Sequence, residues 1–79
     1  MMKTQTLSDA PEGTTVALDK IIGEALFKKR LTELGFIEGE KIKVIHNSRK
    51  GSLIVNIKNT KIALGRGEAQ KVMISAKKE

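Results

Sequence analysis

Apolar residues in this chain alternate with polar ones in short runs, and only once do they fall at helical spacing. Between Thr14 and Ile21, Val16 and Leu18 alternate with smaller or polar neighbours, a period of two that predicts a strand. Ala10-Pro11-Glu12-Gly13 ahead of it is turn chemistry, with proline in the second position and glycine in the fourth. From Gly23-Glu24 to Leu34, the residues Phe27, Leu31 and Leu34 recur at i, i+4 and i+7, which predicts a helix burying that stripe. Glu24 falls in its first turn, where a carboxylate suits the dipole. Gly35 stands where a left-handed residue closes a helix, and Phe36 is placed to touch Leu31 as the apolar clasp of a Schellman motif.

After the helix, Ile37-Glu38-Gly39-Glu40 reads as a turn in which Gly39 supplies positive φ. Ile42, Val44 and His46 then share one face of a strand from about Lys41 to Asn47. Ser48-Arg49-Lys50-Gly51-Ser52 is a polar hairpin loop, and Leu53, Val55 and Ile57 alternate in the next strand. The two-residue link Asn59-Thr60 joins it to Lys61–Leu64, with Ile62 and Leu64 inward. Gly65-Arg66-Gly67 breaks that strand, Glu68 to Lys71 make one helical turn burying Ala69, and Val72 and Ile74 alternate in a last strand before a frayed Lys77-Lys78-Glu79 tail. About five short strands and one inserted helix predict a mainly β, SH3-like barrel, because closure removes the edges a flat sheet would expose. The echo between Glu12-Gly13-x-x-Val16-x-Leu18 and Glu38-Gly39-x-x-Ile42-x-Val44 is local turn chemistry, not a duplication.

Length changes this picture little: 79 residues hold one domain, 1–79, with a core from about 6 to 75 and frayed ends. The absence of cysteine removes disulfides, thiolate metal sites and a cysteine nucleophile, and it suits a reducing compartment such as the cytoplasm. No apolar segment of the start resembles a signal peptide and no run approaches the length of a membrane span. The formal charge of +6 admits nucleic acid, an anionic membrane or an acidic protein as partner. Its basic residues are scattered, however, and two phenylalanines with no Tyr or Trp make a poor stacking platform for single strands, so no nucleic acid is expected.

Candidate chemistry is sparse. His46 is the only histidine and no triad can be built around it, so no catalytic residue is assigned. The carboxylates Asp9, Glu12, Asp19, Glu24, Glu33, Glu38 and Glu40 show no metal-ligand spacing, and neither a metal site nor a cofactor is expected. Gly65-Arg66-Gly67 could cradle an anion, yet it lacks both the third glycine of a dinucleotide loop and the Lys-Ser/Thr of a phosphate loop, and is read as a tight corner. Lys28-Lys29-Arg30 lies on one helical turn. If Leu26 stays exposed, it and the stem of Arg30 form a mixed patch suited to a protein partner. Leu26, Lys29 and Arg30, with Arg66 in addition, are therefore the expected partner-binding residues, and Gly35, Phe36 and Gly39 the structural ones.

Arg30-Leu31-Thr32-Glu33-Leu34-Gly35-Phe36-Ile37-Glu38-Gly39 resembles the signature of the FeoA family, small cytoplasmic accessory proteins of bacterial ferrous-iron uptake. Leu7-Ser8-Asp9 followed by Gly13 is similar to the family's opening, Lys41–Ile45 to its second strand, and Ile62–Ile74 to its closing segment. Glu38 stands where many members have proline, and the stretch from Asn47 to Leu53 lacks the proline and aspartate often found around its glycine. The resemblance implies an SH3-like barrel, no catalysis, the family's general association with transition-metal-ion binding, and a partner in FeoB, the membrane iron transporter with a cytoplasmic GTP-binding domain. Such a protein would reach the membrane only through that partner, with weak self-association left open. The alternatives are a basic nucleic-acid-binding barrel and a free-standing relative of the C-terminal domain of iron-dependent repressors.

Overall fold

In the computed structural model, which describes residues 5–48 and 50–76, the described strands make one antiparallel sheet. They are β1 Gln5–Thr6, β2 Thr15–Ile21, β3 Lys41–Asn47, β4 Leu53–Ile57, β5 Thr60–Leu64 and β6 Val72–Ala76. Helix α1, Ala25–Glu33, lies between β2 and β3, and the single turn α2, Arg66–Ala69, between β5 and β6. Strand order is β1-β6-β2-β3-β4-β5. The mainly β architecture with a helix after the first long strand is as the alternation predicts. The addition is β1, a pair of residues too short to display a period. The tail Lys77-Lys78-Glu79 and Arg49 of the hairpin loop lie outside the described residues.

Inward positions of every long strand are buried: Val16 and Leu18, Ile42 and Val44, Leu53, Val55 and Ile57, Ile62 and Leu64, Val72 and Ile74. Each such side chain contributes about 1.5–3 kcal/mol of transfer free energy. Leu7, from a 3-10 turn at Leu7–Asp9, and Phe36 join this core, both fully buried.

The end of α1 follows its sequence. Phe36 N–H donates to the Leu31 carbonyl and Gly35 N–H to that of Thr32, both at 3.0 Å, the two bonds of a Schellman motif. Gly35 has φ +111°, and a Cβ there would lie 3.3 Å from Ile57 Cγ2. Gly35→Ala is therefore expected to destabilise the fold by about 1 kcal/mol or more through left-handed backbone strain. An unchanged Tm for that variant would contradict the assignment. Gly39, φ +88°, turns the chain into β3, and Glu40 N–H closes that turn on the Ile37 carbonyl at 2.8 Å.

Four local expectations are corrected. The first turn is shifted by one residue, with Thr14 N–H on the Pro11 carbonyl and Gly13, φ +86°, at the third position where positive φ is needed. The β4–β5 link is Lys58-Asn59, not Asn59-Thr60; both have positive φ, as a primed hairpin turn requires, since its twist matches the strands. Glu24 is the residue before the helix and lies outside its first turn. His46 leaves the inward face because pairing shifts between Val44↔Val55 and His46↔Ile54. This bulge turns both Ile45 and His46 outward.

Candidate docking face

Helix α1 is fastened to the barrel by little besides its closing turn. Leu31 is buried and Phe27 packs against the core half-buried, its ring 5.2 Å from Lys71 Nζ. The predicted third member of the stripe, Leu34, is 47% exposed. The helix stops at Glu33, so Leu34 sits at the reversal of the chain, and Phe36 takes the core position in its place.

Exposing Leu34 creates a surface feature. Leu26, 77% exposed, Arg30 and Leu34 are spaced four apart along one helical ridge, with exposed Lys29 beside Leu26 and Arg30. A single exposed leucine is unremarkable. Two of them flanking an arginine make an apolar patch with a planar hydrogen-bonding fork at its centre. Arg30 lies 3.6 Å from Glu68 of α2, the two side chains being 66% and 40% exposed. At that exposure the pair contributes little stability. The other Glu68 oxygen accepts the Gly65 N–H at 2.9 Å, holding the start of α2.

The structure brings Leu26, Lys29 and Arg30 together but directs Arg66 elsewhere. Its guanidinium donates inward, from Nη1 to the Ser8 carbonyl at 3.1 Å, from Nη2 to Asn47 Oδ1 at 2.6 Å and to the Ser48 carbonyl, and from Nε to the Gly51 carbonyl at 3.3 Å. The carbonyls of Ser8, Ser48 and Gly51 lie in turns beyond the strand ladders, and one planar fork satisfies all three. Asn47 works with it, donating through Nδ2 to the Ser8 and Ala10 carbonyls at 3.2 and 2.7 Å. Arg66 is thus a strut that ties the Leu7–Asp9 turn to the β3–β4 loop, which corrects its expected place among the docking residues. Asn47, its partner, was missed by sequence reasoning: the need for it arises between segments 37 to 39 residues apart, and no local pattern announces it.

Beside this strut, Ser8–Glu12, Asn47 and Arg66 line a polar cleft of about 430 Å³. At its edge Glu12 Oε2 accepts the Asn47 N–H at 2.9 Å and lies 3.0 Å from His46 Nδ1. That pair has no third ligand: among the described residues, no three of His, Cys, Asp or Glu gather to hold an ion. Folding is accordingly expected to be independent of metal. Thermal melts of tag-free protein with and without a strong chelator should superimpose, and a clear fall in Tm on chelation would contradict this.

The FeoA domain family model matches residues 5–76. The chain belongs to the FeoA family. A relative from Methanocaldococcus jannaschii, named as a candidate Fe(2+) transport protein A, is 40% identical over 68 residues, which cover 86% of this chain and 82% of that one. The crystal structure of an iron uptake regulatory protein, FeoA, has the same fold at a TM-score of 0.85 and 25% identity, covering 92% of this chain and 97% of the other. FeoA of Stenotrophomonas maltophilia, crystallised with zinc and described as a prokaryotic SH3 domain protein, matches at a TM-score of 0.80 and 28% identity over 90% and 89% of the two chains. The matched residues 5–76 include the whole of this ridge.

Proposed function

We propose that this FeoA-family chain is a non-enzymatic accessory of ferrous-iron transport that acts in the cytoplasm by binding the cytoplasmic part of an FeoB-type transporter through the Leu26–Lys29–Arg30 face of α1. Family membership supports the transport setting, and the name of the Stenotrophomonas relative offers it as a ferrous iron transport activating factor. The observation that carries the docking reading is the 77% exposure of Leu26 on a ridge with Arg30 and Leu34. A helix held to the core through Leu31 and Phe27 on one side has this face to spare for a partner. No helix among the described residues is long and apolar enough to cross a membrane, so in this reading the transporter supplies the path for iron and the barrel a regulatory or scaffolding contact. The test is direct titration of the chain with the transporter's purified cytoplasmic domains in lipid-free solution. Saturable binding supports the proposal; its absence at concentrations well above those of a transient complex, about 100 μM, defeats it.

A further inference from the structure

The outward positions of β3, β4 and β5 form a barrel wall whose chemistry differs from that of the helix ridge. Lys41 and Lys43 point outward from β3 and Lys61 from β5, all exposed. The register places Lys43 opposite Asn56 and Asn56 opposite Lys61, so two ammonium-bearing chains flank one amide across three strands, with backbones about 10 Å apart. The Asn56 Oδ1 between them is buried without a hydrogen-bond partner. No carboxylate occupies an outward position on these three strands. The nearest in sequence, Glu40, is engaged 3.5 Å from Lys58 Nζ. Ile45, 39% exposed, adds an apolar contact at the side of the bulge.

We infer that this wall is a contact surface for anionic phospholipid headgroups, which would hold the barrel against the membrane beside its transporter; the inference rests on the transport reading for its setting. A protein partner fits the wall poorly, because lysine is depleted in protein interfaces and no arginine, tyrosine or tryptophan stands there as an anchor. RNA fits poorly too: Phe36 lies in the core and Phe27 faces it from α1, and the one outward ring on these strands, His46, is held 3.0 Å from the Glu12 carboxylate, which leaves no platform of aromatic faces for successive bases. An array of mobile point charges matches a fluid anionic surface, toward which each lysine adds attraction that fades within a Debye length. That length, about 10 Å at 0.1 M salt, is well below the 31 × 27 × 24 Å extents of the molecule, so position matters as well as total charge. A direct lipid contact departs from the expectation that this chain meets the membrane only through its partner.

The experiment is sedimentation of the purified full chain with vesicles of phosphatidylcholine containing about 30% phosphatidylglycerol, and with pure phosphatidylcholine, at about 0.1 M salt. Binding is expected to the first and not the second. Lys43→Glu with Lys61→Glu should reduce it about tenfold or more. Lys20→Glu with Lys28→Glu, an equal change of charge on the helix side of the barrel, should change it less than about threefold. Equal losses in the two double variants would overturn the inference, as would failure to bind the anionic vesicles. Binding of a single-stranded RNA oligonucleotide that is lost with Lys43 and Lys61 and exceeds vesicle binding would replace lipid with nucleic acid. The transporter titration contains no lipid and the vesicles no transporter, so either proposal can fail while the other stands.

Discussion

Arg66→Ala is expected to destabilise the fold by about 2 kcal/mol or more, lowering Tm by about 10 °C. The guanidinium is half-buried and meets the Ser8, Ser48 and Gly51 carbonyls together with Asn47 Oδ1. Removing it leaves the Gly51 carbonyl and Asn47 Oδ1 without their donor, while the Ser8 and Ser48 carbonyls keep only Asn47 Nδ2 and the Gly51 N–H; an acceptor left without a donor costs more than an average hydrogen bond contributes. Arg66→Lys should recover little of the loss, because one ammonium cannot span acceptors that lie around a planar fork. Asn47→Ala, which removes one acceptor for Arg66 and the donor to Ser8 and Ala10, should be destabilising in the same direction. The double variant should lose less than the sum of the singles, since the two side chains form one network. Thermal and urea melts of the four variants check this. A stable Arg66→Ala variant with impaired partner binding would return Arg66 to the docking surface.

The contrast between Arg30 and Arg66 shows how much of the site the sequence carries. Both are arginines next to short polar segments, and charge alone cannot separate them. Arg30 is legible because its neighbours are local: the helical spacing of Phe27 and Leu31 fixes which side is buried, and Arg30 falls off that side. Arg66 is settled by carbonyls from residues 15 to 58 positions away, a requirement visible only once the barrel has closed. The same division runs through the fold. Gly35 and Phe36 state the helix end in adjacent residues, and Leu53, Val55 and Ile57 state their strand by strict alternation. The bulge at Ile45 lies beyond a sequence period, because an extra residue in one strand is defined only by its partner's register. Leu34 misleads for a related reason: it continues the helical spacing one step past Glu33, where the helix ends, into the reversal that Gly35 completes.

Arg30→Ala and Leu26→Asp are each expected to weaken binding of the transporter's cytoplasmic domains by about thirtyfold or more, with the fold unchanged. Arginine is a common hot-spot residue, and truncating one costs about 2 kcal/mol or more; placing a carboxylate where an apolar side chain must be desolvated carries a comparable penalty. Both substitutions should leave Tm nearly untouched. Leu26 is 77% exposed, and the Arg30–Glu68 pair is largely solvated. Lys58→Ala, which removes a positive charge in the β4–β5 turn, supplies the control and should alter mainly the salt dependence of association. Calorimetric titration of the wild type and these variants gives the affinities, and far-ultraviolet circular dichroism establishes their folding. If Arg30→Ala unfolds the protein, that residue belongs to the scaffold.

The most direct measurement is an NMR titration of the isotope-labelled chain with unlabelled cytoplasmic domains of the transporter, in lipid-free buffer. The largest amide perturbations are expected on residues 25–34, spreading to Glu68 through its pairing with Arg30, while the β3–β5 wall around Lys43 and Lys61 stays quiet. Perturbations centred on that wall with α1 unmoved, or none at saturating partner, would contradict that expectation.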